Sequence, residues 1–285
     1  MTRTLLFIGH GYSARALAAQ VIPRGWRVIG TTRSPQSAEE IRGTGVEPVI
    51  WPGSDLTAAL AAANAILVSA GPGPEGDPVL AKLREPIASR ARALDWVGYL
   101  STTGVYGNHD GGWVDESTPL APSTARGVAR VAAEAAWQEI PGLPLQIFRL
   151  AGIYGPGRGP FAKLRNGTAR RIIKPGQVFS RIHVDDIAQC LLASLERPDP
   201  GAIYNLCDDE PAPPEDVLAY AAELLGLPIP PAIPFDTAEM TPMARSFYDE
   251  NKRVRNDRIK NDLGISLIHP DYRSGLRALM AVEKG

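Results

Sequence analysis

Cysteine is nearly absent: Cys190 and Cys207 are the only two in 285 residues. Two thiols without paired spacing exclude a disulfide framework and a thiolate zinc site, and they fit a reducing compartment. Net charge is lacking too. Thirty basic against 31 acidic residues leave −1, so there is no electrostatic footprint for nucleic acid or an anionic membrane surface. No apolar run approaches a membrane-spanning length. The first one, residues 5–8, is too short for a signal-peptide core and runs into a glycine loop. His10, His109, His183 and His269 are scattered without ligand spacing, so no metal site is expected. Repeats and low-complexity tracts are missing. What remains is a chain whose expected partner is a small molecule, with no nucleic acid and no membrane, and whose expected location is cytoplasmic.

What is present is a rhythm. A short apolar run at 4–8 gives way to a helical pattern at 13–24, and the alternation repeats: strand-like 26–31, helical 35–42, strand-like 46–51, helical 56–63, strand-like 65–70. A helix at 79–93, a strand at 96–101, a helix at 125–139 and a strand at 145–150 follow. Strands alternating with helices imply parallel pairing with crossovers, hence an α/β, Rossmann-type doubly wound sheet. Beyond Tyr154 the pattern changes, with a helix at 184–196 and a strand at 202–206. The last third is rich in proline, which suits loops and a smaller C-terminal lobe.

Gly9-His10-Gly11-Tyr12-Ser13-Ala14 matches G-x-G-x-x-G/A directly after the first strand. Gly9 allows the tight turn, Gly11 lets a pyrophosphate approach the backbone, and Ala14 permits close packing of helix on strand. Tyr12 and Ser13 open the helix, whose free N–H groups and positive dipole end favour phosphate. The end of the second strand reads Gly30-Thr31-Thr32-Arg33. An acid there would bind the ribose 2′-hydroxyl of NAD. Its absence, with Arg33 as a planar fork and Thr32 as a hydroxyl donor, favours NADP. The competing reading of Arg33 is a solvated arginine at a strand end.

Further motifs span nearly the whole chain: Ser54-Asp55-Leu56, Ser69-Ala70-Gly71, Ser101-Thr102-Thr103-Gly104-Val105-Tyr106-Gly107, Arg149-Leu150-Ala151-Gly152-Ile153-Tyr154-Gly155-Pro156-Gly157, and Arg181-Ile182-His183-Val184-Asp185-Asp186. In these the chain resembles the extended short-chain dehydrogenases/reductases, the epimerase/dehydratase-like group, in an atypical form. The resemblance implies a dinucleotide-binding domain at 1–154. Residues 155–285 would form mainly a substrate lobe, with about 178–207 returning to the sheet. It implies that Asp55 accepts from the adenine amino group and Leu56 packs on the ring. Ala70, Gly71 and Gly152 would line the cofactor path, and Thr102 would hold the substrate oxygen. The family then uses a tyrosine and, four residues on, a lysine that lowers the phenol's pKa. Here Arg126 stands at the tyrosine position and Arg130 at the lysine position, one helical turn apart. Arginine does not release its proton near neutrality.

Arg126 and Arg130 are therefore expected to act as fixed charges that bind an anion, with Glu134, one turn beyond Arg130, as an alternative counter-charge. Tyr106, Tyr154 and the Asp185-Asp186 pair are candidates for another proton donor or for structural hydrogen bonding, the two acids also reading as helix caps. The basic run Lys163, Arg165, Arg170, Arg171, Lys174 reads either as a solvated face or as an anion site. Asn251-Lys252-Arg253-Val254-Arg255-Asn256 is expected to position the lobe, with anion binding as the second reading. Two functions stay open. The first is an NADP(H)-dependent oxidoreductase or epimerase-like enzyme on a polar, nucleotide-linked or otherwise anionic small molecule. The second is an NADP(H)-binding sensor or interaction module without chemistry. A homodimer is left open.

Overall fold

The computed structural model describes residues 2–284. Apolar strands β1 (Thr4–Ile8), β2 (Arg27–Thr32), β3 (Glu47–Ile50), β4 (Ala65–Val68) and β5 (Trp96–Thr102) alternate with helices α1 (Tyr12–Val21), α2 (Pro35–Arg42), α3 (Thr57–Ala62) and α4 (Leu80–Arg90). The second half adds β6 (Trp113–Val114), α5 (Ala125–Gln138), β7 (Leu145–Leu150), β8 (Gly152–Tyr154), α6 (Phe161–Arg165), β9 (Arg171–Ile173), β10 (Arg181–His183), α7 (Val184–Glu196) and β11 (Ile203–Leu206). It ends in α8 (Pro214–Leu225), β12 (Ala232–Pro234), α9 (Pro242–Ser246), β13 (Arg253–Val254), α10 (Asp257–Asn261) and α11 (Tyr272–Lys284). The seven-stranded sheet runs β11-β7-β5-β4-β1-β2-β3, with every neighbouring pair parallel. Beside it lie three two-stranded parallel pairs, β8 with β10, β9 with β12 and β6 with β13. No described helix is long and apolar enough to cross a membrane.

Strand alternation divides the core. Leu5 and Phe7 face α1 and α7 through Leu17, Ile187 and Leu191, whereas Leu6 and Ile8 face α3, α4 and α5 through Leu60, Leu83, Ile87 and Trp137. A third cluster, with Tyr154, Phe161, Leu164, Ala221, Tyr272 and Leu276, holds α6, α8 and α11 together. The proline-rich stretch, read from sequence as loop, contains α8: Pro214 takes the first helical turn, where a missing N–H costs nothing, and Gly226 ends the helix at φ 66°.

Polar groups tie the layers. Trp96 Nε1 donates to Ser194 Oγ (2.9 Å), which donates to Gln146 Oε1 (2.5 Å), linking the sheet to α7. Arg149 on β7 meets Glu134 on α5 in a two-pronged pair, Nη2 to Oε2 at 2.8 Å and Nε to Oε1 at 3.2 Å, with both side chains only 3% exposed. Ser101 Oγ also donates to Glu134, and Arg149 Nη1 donates to the Tyr106 hydroxyl (2.9 Å), which donates to Asn205 Oδ1 (2.7 Å). The expected Arg130–Glu134 helical pair is therefore not formed. A buried, bidentate partner on the sheet outcompetes a half-buried one on the same helix.

Removing one half of this pair strands a buried charge. Glu134→Ala should lower unfolding free energy by about 3–5 kcal/mol, read from urea denaturation. A loss under 1 kcal/mol would show that the pair is not buried in solution.

Candidate functional site

The carboxyl ends of β1, β4, β5 and β7 open into one cleft of about 1240 Å³, bounded on the far side by residues of the C-terminal third. β1 lies between β2 and β4, where the winding direction of the sheet reverses, the position at which such sheets bind ligands.

The glycine loop is pinned at both ends. Gly9 N–H donates to Thr31 Oγ1 (2.7 Å), its carbonyl accepts from Ser69 Oγ, and His10 N–H donates to Thr31 O (2.9 Å). Gly9 has φ 96°, and a Cβ there would come within 2.8 Å of Ser69 Oγ and 2.9 Å of Ala70 N. Gly11 differs. Its φ of −89° suits any residue, a Cβ would meet nothing within 4 Å, and no side chain caps the N-terminus of α1 that it begins. Nothing within the protein asks for glycine at 11. A ligand pressed against the backbone there would. Ser13 and Ala14 are buried, Ala14 against the core as expected. The Tyr12 hydroxyl reaches across to donate to Pro156 O (2.9 Å).

At the end of β2, Thr32 is half-buried and Arg33 is exposed, with no hydrogen bond or ion pair recorded for its side chain among the described residues. Asp55 is exposed. Its Oδ1 accepts from Thr57 N–H (2.9 Å) and Thr57 Oγ1 (2.6 Å), which hold the carboxyl below its ordinary range and leave Oδ2 outward. Leu56, expected to face the adenine ring, is 1% exposed in the core beside Ala59 and Leu60. It supports the wall from behind, because the cap of α3 turns its side chain inward. Ala70 and Gly71 follow β4, and Gly152 sits at the start of β8, its N–H bonded to Ser180 O (3.1 Å).

Thr102, Arg126 and Arg130 all line the cleft. Thr102 Oγ1 accepts from Gly104 N–H (3.1 Å), which leaves its own proton free to donate. α5 starts where Thr124 Oγ1 accepts from Gly127 N–H (3.1 Å), and this cap aims the first turn at Thr102's loop. Arg126 is exposed, its guanidinium 5.0 Å from the Phe247 ring. Arg130 is half-buried. Its Nη1 donates to Leu100 O (2.5 Å) and the Tyr99 hydroxyl (3.2 Å), and its Nη2 would lie 2.6 Å from a Cβ on Gly71. Arg130 is tethered beside Gly71; Arg126 has no side-chain hydrogen bond or ion pair recorded among the described residues.

The remaining candidates divide. Tyr106 is fully buried in the Arg149–Asn205 network, where burial pushes its phenol up to about 12. Tyr154 lines the cleft, but desolvation raises its phenol well beyond the neutral range. Asp186 is buried and accepts from Ile268 N–H (2.7 Å) and His269 N–H (3.1 Å), so it anchors a loop, and the cap of α7 is His183, whose Nδ1 accepts from Asp185 N–H (3.2 Å). The fold thus brings His183, Asp185 and His269 within 4.8 Å of one another, with imidazole centroids 4.0 Å apart. Spacing in the chain gave no hint of this. Of the basic run, Arg165 pairs with Glu283, Arg171 Nε holds Pro230 O, Lys174 holds Tyr248 O, and Arg170 holds Glu239 O. Lys163 faces the cleft. Asn251 binds Val178 N–H (3.1 Å) and Gly176 O (2.9 Å), and Lys252 binds Gly107 O (2.8 Å), the positioning role expected of that element.

Two tests follow from the loop. Gly9→Ala should lower the melting temperature by several degrees while Gly11→Ala leaves it unchanged within a degree, because only the first forces φ and sterics. Equal losses would mean that the loop is differently shaped. His10, buried on Phe7, has its pKa lowered to about 4 by desolvation and by Arg15. The unfolded histidine near 6.5 binds the proton more readily, so stability is complete above that value and falls as pH drops from 6.5 towards 4. His10→Leu should flatten that part of the urea-midpoint profile, and an unaltered slope would count against a buried neutral His10.

Comparison with known proteins agrees with this architecture. Residues 83–207 match the model of the NAD dependent epimerase/dehydratase family. Protein YeeZ of Escherichia coli (strain K12) is 30% identical over 94% of this chain and 97% of its own. A solved structure of a functionally unknown conserved protein from Silicibacter pomeroyi is 64% identical, covers 99% of both chains and superposes with a TM-score of 0.96. A 3-diazoavenalumate denitrifying reductase from Streptomyces is 31% identical over 58% of this chain and 55% of its own. With a glycine loop open for a dinucleotide, a parallel sheet that reverses above it and relatives matched end to end, the chain belongs to the NAD dependent epimerase/dehydratase family.

Proposed function

We propose that the protein is an NADP(H)-dependent oxidoreductase or epimerase-like enzyme acting on a polar small molecule, with an altered site in which arginines replace the tyrosine and lysine. One observation carries the cofactor reading: Arg33, exposed and without a recorded partner, closes β2 where no acid stands, while Gly11 leaves the backbone bare at the start of α1. A 2′-phosphate supplies a counter-charge for Arg33, and the N-terminus of α1 takes the pyrophosphate. The residues fit the dinucleotide, which when bound supplies a hydride donor or acceptor at its nicotinamide ring.

The chain's own groups do the rest. Thr102 offers its proton to a substrate oxygen; Arg130, fixed by Leu100 O and Tyr99, presents a constant positive charge above Gly71. Neither arginine exchanges a proton, so any proton that the reaction needs travels through Thr102 or water. That arrangement suits reduction or oxidation at a centre that needs no strong acid, and the reductase name borne by the Streptomyces relative supports it. The second reading, a ligand-occupied sensor, rests on the same two arginines.

Titration of NADPH and NADH by calorimetry tests the assignment. NADPH should bind at least tenfold more tightly, a difference of about 1.4 kcal/mol, and Arg33→Ala should erase the preference. Equal affinities in the unaltered protein would overturn the choice of NADP.

A further inference from the structure

We infer that the substrate of this cleft is an amphipathic anion, an aromatic or conjugated carboxylate held by Arg126 with its flat body against Phe247 and Met243, and not a nucleotide-linked sugar. The inference rests on the reading of the cleft as a substrate site and adds the ligand's chemical class.

Charge comes first. Most cations around the cleft are already committed to the protein. Arg130 donates to Leu100 O, Arg170 to Glu239 O, Arg181 to Phe179 O and Ala212 O, and Lys252 to Gly107 O and Glu250. Arg158 and Lys163, both exposed, also have no side-chain hydrogen bond or ion pair recorded among the described residues, but Arg158 lies over the Tyr12 ring at the glycine-loop end and Lys163 is an ammonium on α6. Arg126 is the guanidinium on the Thr102 side that has no hydrogen bond or ion pair recorded among the described residues. One planar fork matches one carboxylate.

The walls supply the second argument. Met243 on α9 is 66% exposed and Phe247, just after it, is 51% exposed, yet both line the cleft rather than the outer surface alone. Behind them the C-terminal side of the cleft is faced by Ile172, Val178, Leu218 and Leu276. Large apolar side chains standing open in a concave site gain when a ligand covers them, and an apolar wall beside a few placed charges is the pattern of a site for a small amphipathic ligand. Phe247 already stacks with Arg126 at 5.0 Å. A flat ring that joins this stack keeps the cation–π contact while its carboxylate takes the fork.

The test is calorimetric titration of cinnamate, methyl cinnamate and UDP-glucose into the full-length protein, with and without saturating NADPH. Cinnamate should bind, methyl cinnamate at least tenfold more weakly, and UDP-glucose more weakly than cinnamate. Arg126→Ala should weaken cinnamate at least tenfold and Phe247→Ala several-fold, Arg126→Lys should recover part of the loss, and NADPH affinity should be the same in all four proteins. Both side chains are exposed, so unchanged melting temperatures would certify the variants. Tighter binding of UDP-glucose, silence of cinnamate while NADPH binds, or indifference of cinnamate to Arg126→Ala overturns the inference. Cinnamate binding that depends on Arg126 in a protein that ignores NADPH would uphold it and refute the dinucleotide reading alone.

Discussion

The buried pair between Glu134 and Arg149 is the constraint from which the site takes its shape. It clamps α5 onto β7, and Ser101, one residue before Thr102, donates to the same carboxylate. The helix that carries Arg126 and Arg130 is thereby registered against the strand that carries Thr102. A one-turn slip of α5 would pull both arginines away from the cleft and leave two charges in the core, so the electrostatic cost of disordering the site is set far from its surface. The Tyr106–Asn205 link extends the same network to β11 at the edge of the sheet.

Much of this was legible in the chain because it is local. The alternation of apolar runs and helical periodicity marked the strands and helices of the main sheet within three residues, and the glycine loop announced itself by its place after β1. Pairing was not legible. Glu134 has Arg130 one turn behind it and Arg149 fifteen positions on, and only burial decides between them. His183 and His269 lie 86 positions apart in the sequence, yet their ring centroids are 4.0 Å apart. Leu56 sits beside Asp55 in a motif that points to adenine, yet it is the N-cap residue of α3 and its side chain is buried in the core. Period and punctuation reveal elements; contacts between elements need the packed structure.

Exchange of tyrosine and lysine for two arginines changes what the site can be selected for. A phenol and an ammonium form a titrating couple whose usefulness depends on pH. Two guanidiniums do not titrate in any ordinary range. Arg130, fixed by main-chain and phenolic oxygens, behaves as part of the scaffold, whereas Arg126 touches only an aromatic ring of the opposite wall. On the proposed reading the family's positions are kept, and their work passes from proton transfer to charge placement.

The position of β11 has a consequence for how the molecule is made. It completes the sheet beyond β7, and α7 covers α1, yet both lie after residue 183. A nascent chain that has delivered residues 1–154 has placed six strands in order but offers the ribosome's surroundings a raw edge on β7 and a bare apolar face on α1. The oldest part of the polypeptide is the last to be sealed, and a chaperone that shields that face during synthesis would have to stay until the newer half arrives.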